Sequence, residues 1–438
     1  MLANTFPGSI APPPPPQSPT RRQETRMKSS KFVAALLLAG AMTVAAPAMA
    51  QQEAAAPADP TKLVTHVPKV TPAAVKAIQA LQKAMDANNT AAIPAALAAA
   101  QPAAKTPDDK YFVGLLQLKA AAATKDQSAI AASLEALLAS GGAAPNEQFS
   151  IYYNLAQSYT ALKQFDRAAA DYQKALDVNP NNVDAIAGLA EARASEGQPN
   201  AAIQLIQQGI KVQQAGGQKA PESWYKRAVS LAYEAHLPQA ADLSRQWVQA
   251  YPSADSWKNA IAIYRNLDHP DAETTLDLLR LESAQGGLAS PGEYALYASA
   301  VADQGNYTEA QAILDRGLAA KAISPSDADI QSLLSDLRKE PKATDAGLAE
   351  ATSLARESLP LVHIGDRYVA MGEYSKAVDA YHLALGKPGA DPNLVNLHLG
   401  MALARQGDKA GAASALKAVS GPLAGVAQYW LLYVSSGA

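Results

Sequence analysis

The sequence predicts an all-α chain of stacked helix pairs, an α-solenoid. Its composition points that way first. Hydrophobic residues make up 48 % of the 438 positions, yet only 6 % are aromatic. Much of the apolar fraction is alanine, the best helix former and small enough for close helix packing. The β-branched and aromatic runs that build sheets are scarce. Small and apolar residues also recur at helical spacing and then recur again one unit later. Such units bury their apolar faces only by stacking on neighbours.

The first element is an address. From Met27 the chain reads MKSSKFVAALLLAGAMTVAAPAMAQQ. Lys28 and Lys31 form a basic start, residues 32–44 an apolar stretch, and Ala48-Met49-Ala50 a small-x-small cleavage site. These are the ordered parts of a secretory signal, so cleavage after Ala50 and an exported, periplasmic chain are expected. Pro47 and the alanine-rich tail make the stretch too short and too mildly apolar for a membrane anchor. No integral membrane span is expected in the mature chain. Residues 1–26, with the proline run 11–16, are read as a leader upstream of a start at Met27. Residues 51–71 lack periodic hydrophobics and are read as a flexible linker.

Residues 72–142 read as helix pairs ending at Gly141-Gly142, a divergent helical extension. A clear unit then begins near Phe149. Tyr152, Leu155, Ala156 and Tyr159 share one face of a first helix, and Gln164-Phe165 turn the chain. Ala168, Tyr172 and Ala175 share a face of a second helix, and Pro180 follows. The next unit keeps register: Leu155 maps to Leu189, Ala156 to Ala190, Ala168 to Ala202 and Tyr172 to Ile206, with Gly197 at the turn. A third carries Trp224, Ala228, Leu231, Ala240 and Pro252. A fourth is poor, with Trp257 and Tyr264 on its first helix, a break at His269-Pro270, and a second helix near 274–281. It is expected to be a soft spot, because weak packing between layers lowers local stability. A fifth shows Ala298, Gly305, Tyr307, Ala310, Leu314 and Gly317. Residues 327–358 give two helical stretches without landmarks, split at Pro341. The pattern returns with Gly365, Tyr368, Gly372, Tyr374, Ala377, Tyr381 and Ala384, and again with Gly400, Leu403, Gly407, Ala412 and Leu416. Gly421-Pro422 stops the last unit, and residues 422–438 are read as a capping helix.

These landmarks resemble the tetratricopeptide repeat, W-x2-L-G-x2-Y, then A-x3-F, then P, at a period of about 34 residues, with tyrosine for tryptophan and alanine for glycine in the first unit. The resemblance spans 147–421 and implies a right-handed superhelix of helix-turn-helix repeats. It also implies a concave face built by the first helices, on which a protein or peptide partner docks. Carried over position by position, that face selects Tyr153, Gln157, Glu191, Tyr225, Lys226, Val229, Ser299, Val362, Asp366, Leu397 and Met401. Some relatives grip a C-terminal carboxylate with lysine and asparagine. Asn154 and Lys226 hint at such a clamp, but Gln157 stands where the first unit would want asparagine.

The sequence offers little catalytic chemistry. The formal net charge of −3 lacks the basic surplus of a generic nucleic-acid binder. With no cysteine, disulfides, thiolate zinc sites, cysteine nucleophiles and a lipoprotein anchor are excluded. The six histidines form no zinc-binding helix motif, although His363 and His398 fall at equivalent places in successive repeats. There is no Gly-x-Ser-x-Gly elbow and no phosphate-binding glycine loop. No catalytic residue, metal or cofactor is therefore expected. Asp108 reads as a helix cap and Asp366 as a groove residue without a visible partner. The expected function is a non-enzymatic interaction scaffold of the bacterial periplasm. The alternatives are a non-catalytic accessory subunit of a cell-wall or polysaccharide machine, and an enzyme whose site the sequence conceals.

Overall fold

The computed structural model describes residues 66, 68–87, 89–288 and 290–436. The predicted leader, signal peptide and cleavage site lie outside the described residues. Every regular element among the described residues is helical. They divide into two compact units, the first ending at His269 and the second starting at Pro270.

In the first unit the helices are α1 (Pro72–Asp86), α2 (Ile93–Ala103), α3 (Pro107–Thr124), α4 (Gln127–Ser140), α5 (Pro145–Ala161), α6 (Phe165–Val178), α7 (Val183–Ser195), α8 (Pro199–Ala215), α9 (Glu222–Glu234), α10 (Ala240–Ala250) and α11 (Ala254–Asp268). Each packs on the next in chain order. Proline opens α1, α3, α5 and α8, where a missing N–H costs nothing. Thr106 and Asp109 cap α3 reciprocally, and Asp126, Asn182 and Ser253 cap α4, α7 and α11. The alanines of the repeat pattern are buried: Ala156, Ala168 and Ala202 are each 0 % exposed. Close approach is most demanding at Gly188, where a Cβ would fall 2.3 Å from the Tyr172 ring.

Two expectations need correction here. The end of the presumed linker is anchored. The backbone N–H groups of Lys69 and Thr71 donate to Asp108 and Asp109, both at 2.7 Å. His66 stacks on Tyr111 and lies 3.0 Å from the buried carboxylate of Glu147. Asp109, not Asp108, caps α3, because its side chain reaches back to the Thr106 N–H while Asp108 turns to Lys69.

The second unit comprises α12 (Ala272–Ala284), α13 (Pro291–Asp303), α14 (Tyr307–Ala319), α15 (Ala328–Leu337), α16 (Asp345–Leu354), α17 (Ser358–Ala370), α18 (Tyr374–Leu385), α19 (Pro392–Gln406), α20 (Lys409–Lys417), a short 3-10 turn at Gly421–Leu423, and α21 (Ala424–Ser436). Helix α14 packs directly on α17, so α15 and α16 form an excursion between them. Helix α15 lends Ile330, Leu334 and Leu337 to the core of α13 and α14, whereas α16 buries only Leu348. Helix α21 packs on α12, α19 and α20.

The poor fourth repeat has a structural cause. Its two expected helices are α11 and α12, and the unit boundary falls between them, at a left-handed His269 followed by Pro270. Both helices nonetheless bury much of their length. Trp257, Ala260 and Ile261 of α11 are buried, and α12 is buried on all sides from Thr274 to Ser283. A helix enclosed all round is a core element, not a repeat half with an outer face.

Candidate functional site

The residues assigned to the concave face meet different fates in the two units. In the first, Tyr153 and Gln157 lie one turn apart on α5 and so share a face. The Gln157 amide donates to the Tyr153 hydroxyl at 3.1 Å. The Tyr153 ring stacks on Phe149 and meets Tyr172 edge-on, with centroids 5.8 and 5.9 Å away. Burial, with Tyr172 and Asp184 nearby, pushes its phenol up to about 12. On α7, Glu191 accepts both arms of the Arg227 guanidinium, at 3.0 and 2.9 Å, a bidentate link from α7 to α9. Lys226 sits 3.2 Å from Glu222 and 4.0 Å from Asp255. Tyr153, Gln157, Glu191 and Lys226 all remain partly accessible.

Tyr225 and Val229 do not. Both are buried, because the Tyr225 ring turns into the seam between α9 and α10 and packs edge-on against Tyr251. The carboxylate clamp is not presented either: the Asn154 amide donates to the Ser150 carbonyl of its own helix at 2.7 Å.

In the second unit the same positions are filled from within. Ser299 on α13 is partly accessible, but Val362, Asp366, Leu397 and Met401 on α17 and α19 are buried. Side chains of α12 occupy that face. Arg280 is 4 % exposed and forks onto Glu309 through Nε and Nη2, both at 3.1 Å, while Nη1 donates to Asp277 at 2.9 Å. Its Nη2 also lies 3.6 Å from Asp366. Asp366, for which the sequence showed no partner, accepts from the Tyr381 hydroxyl and pairs with His398 Nδ1, both at 2.7 Å. Tyr297 and Asn306 each donate to Glu309 at 2.7 Å.

The electrostatics follow from this enclosure. Burial works against the imidazolium of His398, but Asp366 and Asp277 outweigh it and push the ring up to about 10. Burial likewise opposes the Asp366 carboxylate, yet the charges of His398 and Arg280 hold it well below the usual range. Burial, by contrast, governs His363 and lowers it. Two cations, Arg280 and His398, thus face three carboxylates, Asp277, Glu309 and Asp366. His398 Nε2 and Asp277 Oδ2 lie 3.4 Å apart, an ion pair too long for a good hydrogen bond. Beside them is a cavity of about 10 Å³, lined also by Arg405 and Met401, on the scale of one water. Among the described residues no set of three or more ligating side chains is arranged around a vacant centre. Apart from His398 Nε2 and Asp277 Oδ2, these groups bond to one another, so the cluster reads as a structural lock.

Sequence reasoning missed Asp277, Arg280 and Glu309. A signal for the first two was present: an Asp-x-x-Arg pair on a helix whose other positions, Leu276, Leu278, Leu279 and Leu281, are leucine.

Comparison with known proteins agrees with the repeat reading. A tetratricopeptide repeat family model matches residues 149–182, and a second matches residues 364–424. No curated protein matches the chain. Among solved structures, Naa15/Naa10 bound to HypK-THB is similar at 12 % identity and a TM-score of 0.37, over 78 % of this chain; the match spans 63 % of that chain's length. A tetratricopeptide repeat protein from Parabacteroides merdae is similar at 13 % identity and a TM-score of 0.27, over 74 % of this chain and 98 % of that one. The apo quorum sensor NprR from B. thuringiensis is similar at 11 % identity and a TM-score of 0.25, over 71 % and 97 %. None of the three is near enough to carry a functional argument.

Proposed function

Because the chain belongs to the tetratricopeptide-repeat family, an all-α fold of stacked repeats that serves protein interaction, we propose that it is an exported, non-catalytic scaffold. It binds a protein or peptide partner on the face formed by α5, α7 and α9. The observation that carries this reading is the contrast between the two units. Tyr153, Gln157, Glu191 and Lys226 stay partly accessible, whereas Val362, Asp366, Leu397 and Met401 are covered. Tyrosine suits such a face, offering a large contact area with a polar tip and little rotamer entropy. The secretory signal ending at Ala50 supports a periplasmic site of action.

Site-specific photo-crosslinking in the native envelope tests the proposal. A photoreactive residue at Gln157 should capture a discrete partner, and one at Met401 should not. Capture only from an outward position of the second helices, such as Gln173, would move the site off this face.

A further inference from the structure

The loop between α8 and α9 lays a cation on an aromatic surface. Lys219 is exposed and follows Gly216-Gly217, with Gly217 in the left-handed region at φ +71°. Its Nζ lies 3.6 Å from the centroid of the Tyr251 ring. Tyr251 is held in place: its hydroxyl donates to the Ala220 carbonyl at 2.7 Å, and its ring meets that of Tyr225 edge-on at 5.9 Å. Glu222 completes the corner. It accepts from the Trp247 indole N–H at 2.9 Å and lies 3.2 Å from Lys226, which is itself over the Trp247 ring. Burial opposes the charge on Glu222, but Trp247, Lys226 and Lys219 hold its carboxyl below the ordinary range.

The charge balance identifies what the corner wants. Glu222 takes one positive charge from Lys226 at 3.2 Å and is held down further by Lys219, so a second ammonium is already drawn to it. An aromatic face beside a carboxylate attracts an ammonium group, since the ring's negative face and the anion act in the same direction. Lys219 supplies that ammonium from a glycine-hinged loop, without a hydrogen-bonded carboxylate of its own. It contributes nothing to the helix core.

We propose that Tyr251 and Glu222, with the buried Tyr225 ring packed behind Tyr251, form a binding site for a lysine side chain of the docked partner, and that Lys219 is its built-in occupant in the free protein. The site lies on α9 and α10, beside Lys226 of the proposed docking face, and rests on that reading for its biological use.

NMR of the full chain tests it, following the Trp247 indole resonance, assigned with Trp247→Phe, as Nα-acetyl-lysine methylamide is added. Lys219→Ala should give a saturable shift, about two- to fivefold tighter than wild type, the range expected for an exposed cation–π contact. Tyr251→Phe in that background keeps the ring and should keep binding; Tyr251→Leu should abolish it. Tetramethylammonium, which cannot donate to Glu222, should bind more weakly than the lysine probe. Equal titration of Lys219→Ala with and without Tyr251→Leu would overturn the site, as would wild type binding as tightly as Lys219→Ala. Tighter binding of tetramethylammonium would overturn the lysine assignment. Circular dichroism controls for folding. The titration reads this corner alone, so its failure is distinct from failure of crosslinking at Gln157.

Discussion

Arg280→Met is the sharpest test of the buried lock in residues 270–438. Methionine keeps most of the side-chain volume and removes only the charge and the guanidinium fork. Wild type balances Arg280 and protonated His398 against Asp277, Glu309 and Asp366, a net charge of −1. The variant leaves His398 alone against three carboxylates, a net charge of −2 in a region that water barely enters. Removing one partner of a buried, hydrogen-bonded ion pair costs about 3–5 kcal/mol. The equilibrium for opening this unit should therefore rise by roughly two to three and a half orders of magnitude. Native-state hydrogen exchange of the full chain reads this directly, because slow amides report the opening free energy of their own unit. Peptides from α12, α17 and α19 should lose protection together, while those from α5 to α8 should not change. Arg280→Lys, which keeps the charge but not the planar fork, should fall between. Arg280→Met combined with Asp366→Asn should cost less than the sum of the two single changes, since both act on one network. A loss of protection below tenfold, or strict additivity, would refute the assignment of Arg280 as the centre of the lock.

Three further outcomes are expected. His398 is raised in the folded state to about 10 from an ordinary 6.5, so its contribution is fully present below pH 6.5 and is lost as pH rises through 10; urea titrations across that window should show an alkaline loss in wild type that His398→Gln lacks. At Gly188, alanine would bring a Cβ within 2.3 Å of the Tyr172 ring; Gly188→Ala should destabilise by about 1–3 kcal/mol in denaturant melts, and Tyr172→Leu in the same chain should relieve part of that cost. Exchange in α16, which buries only Leu348 and exposes Leu354, should be faster than in α11, which buries Trp257, Ala260 and Ile261; the reverse order would place the softer segment in the fourth repeat.

Some of this fold was legible because the physics is local and periodic. An alanine at 156 or 168 recurs at 190 or 202 because only a small residue fits where paired helices meet, and the spacing exposes the rule. The same holds for Gly365, where a Cβ would lie 2.4 Å from the Tyr381 ring. Register says which side of a helix a residue occupies, but not what covers that side. Tyr225 was placed on the correct helix, and its burial depends on Tyr251, which comes from the end of α10. Asp366 needed Arg280 and His398, contributed by α12 and α19, and no window of sequence joins those three. The anchoring of His66 and Thr71 was hidden for the same reason: the carboxylates that hold them lie on α3 and α5.

The two segments matched by the repeat family sharpen this point. Residues 149–182 and 364–424 carry the same signature, so the signature alone would give both the same role. The chain treats them oppositely. In 364–424 the face is met by α12, a leucine-rich helix that brings Asp277 and Arg280 against His398 and Asp366. An external ligand would have to displace a core helix and leave its buried charges unpaired, at a cost few interfaces recover. In 149–182, among the described residues, Tyr153 and Gln157 stay partly accessible and bond each other. The repeat supplies the scaffold in both places; whether a face is free to bind is decided by what else the chain has packed against it.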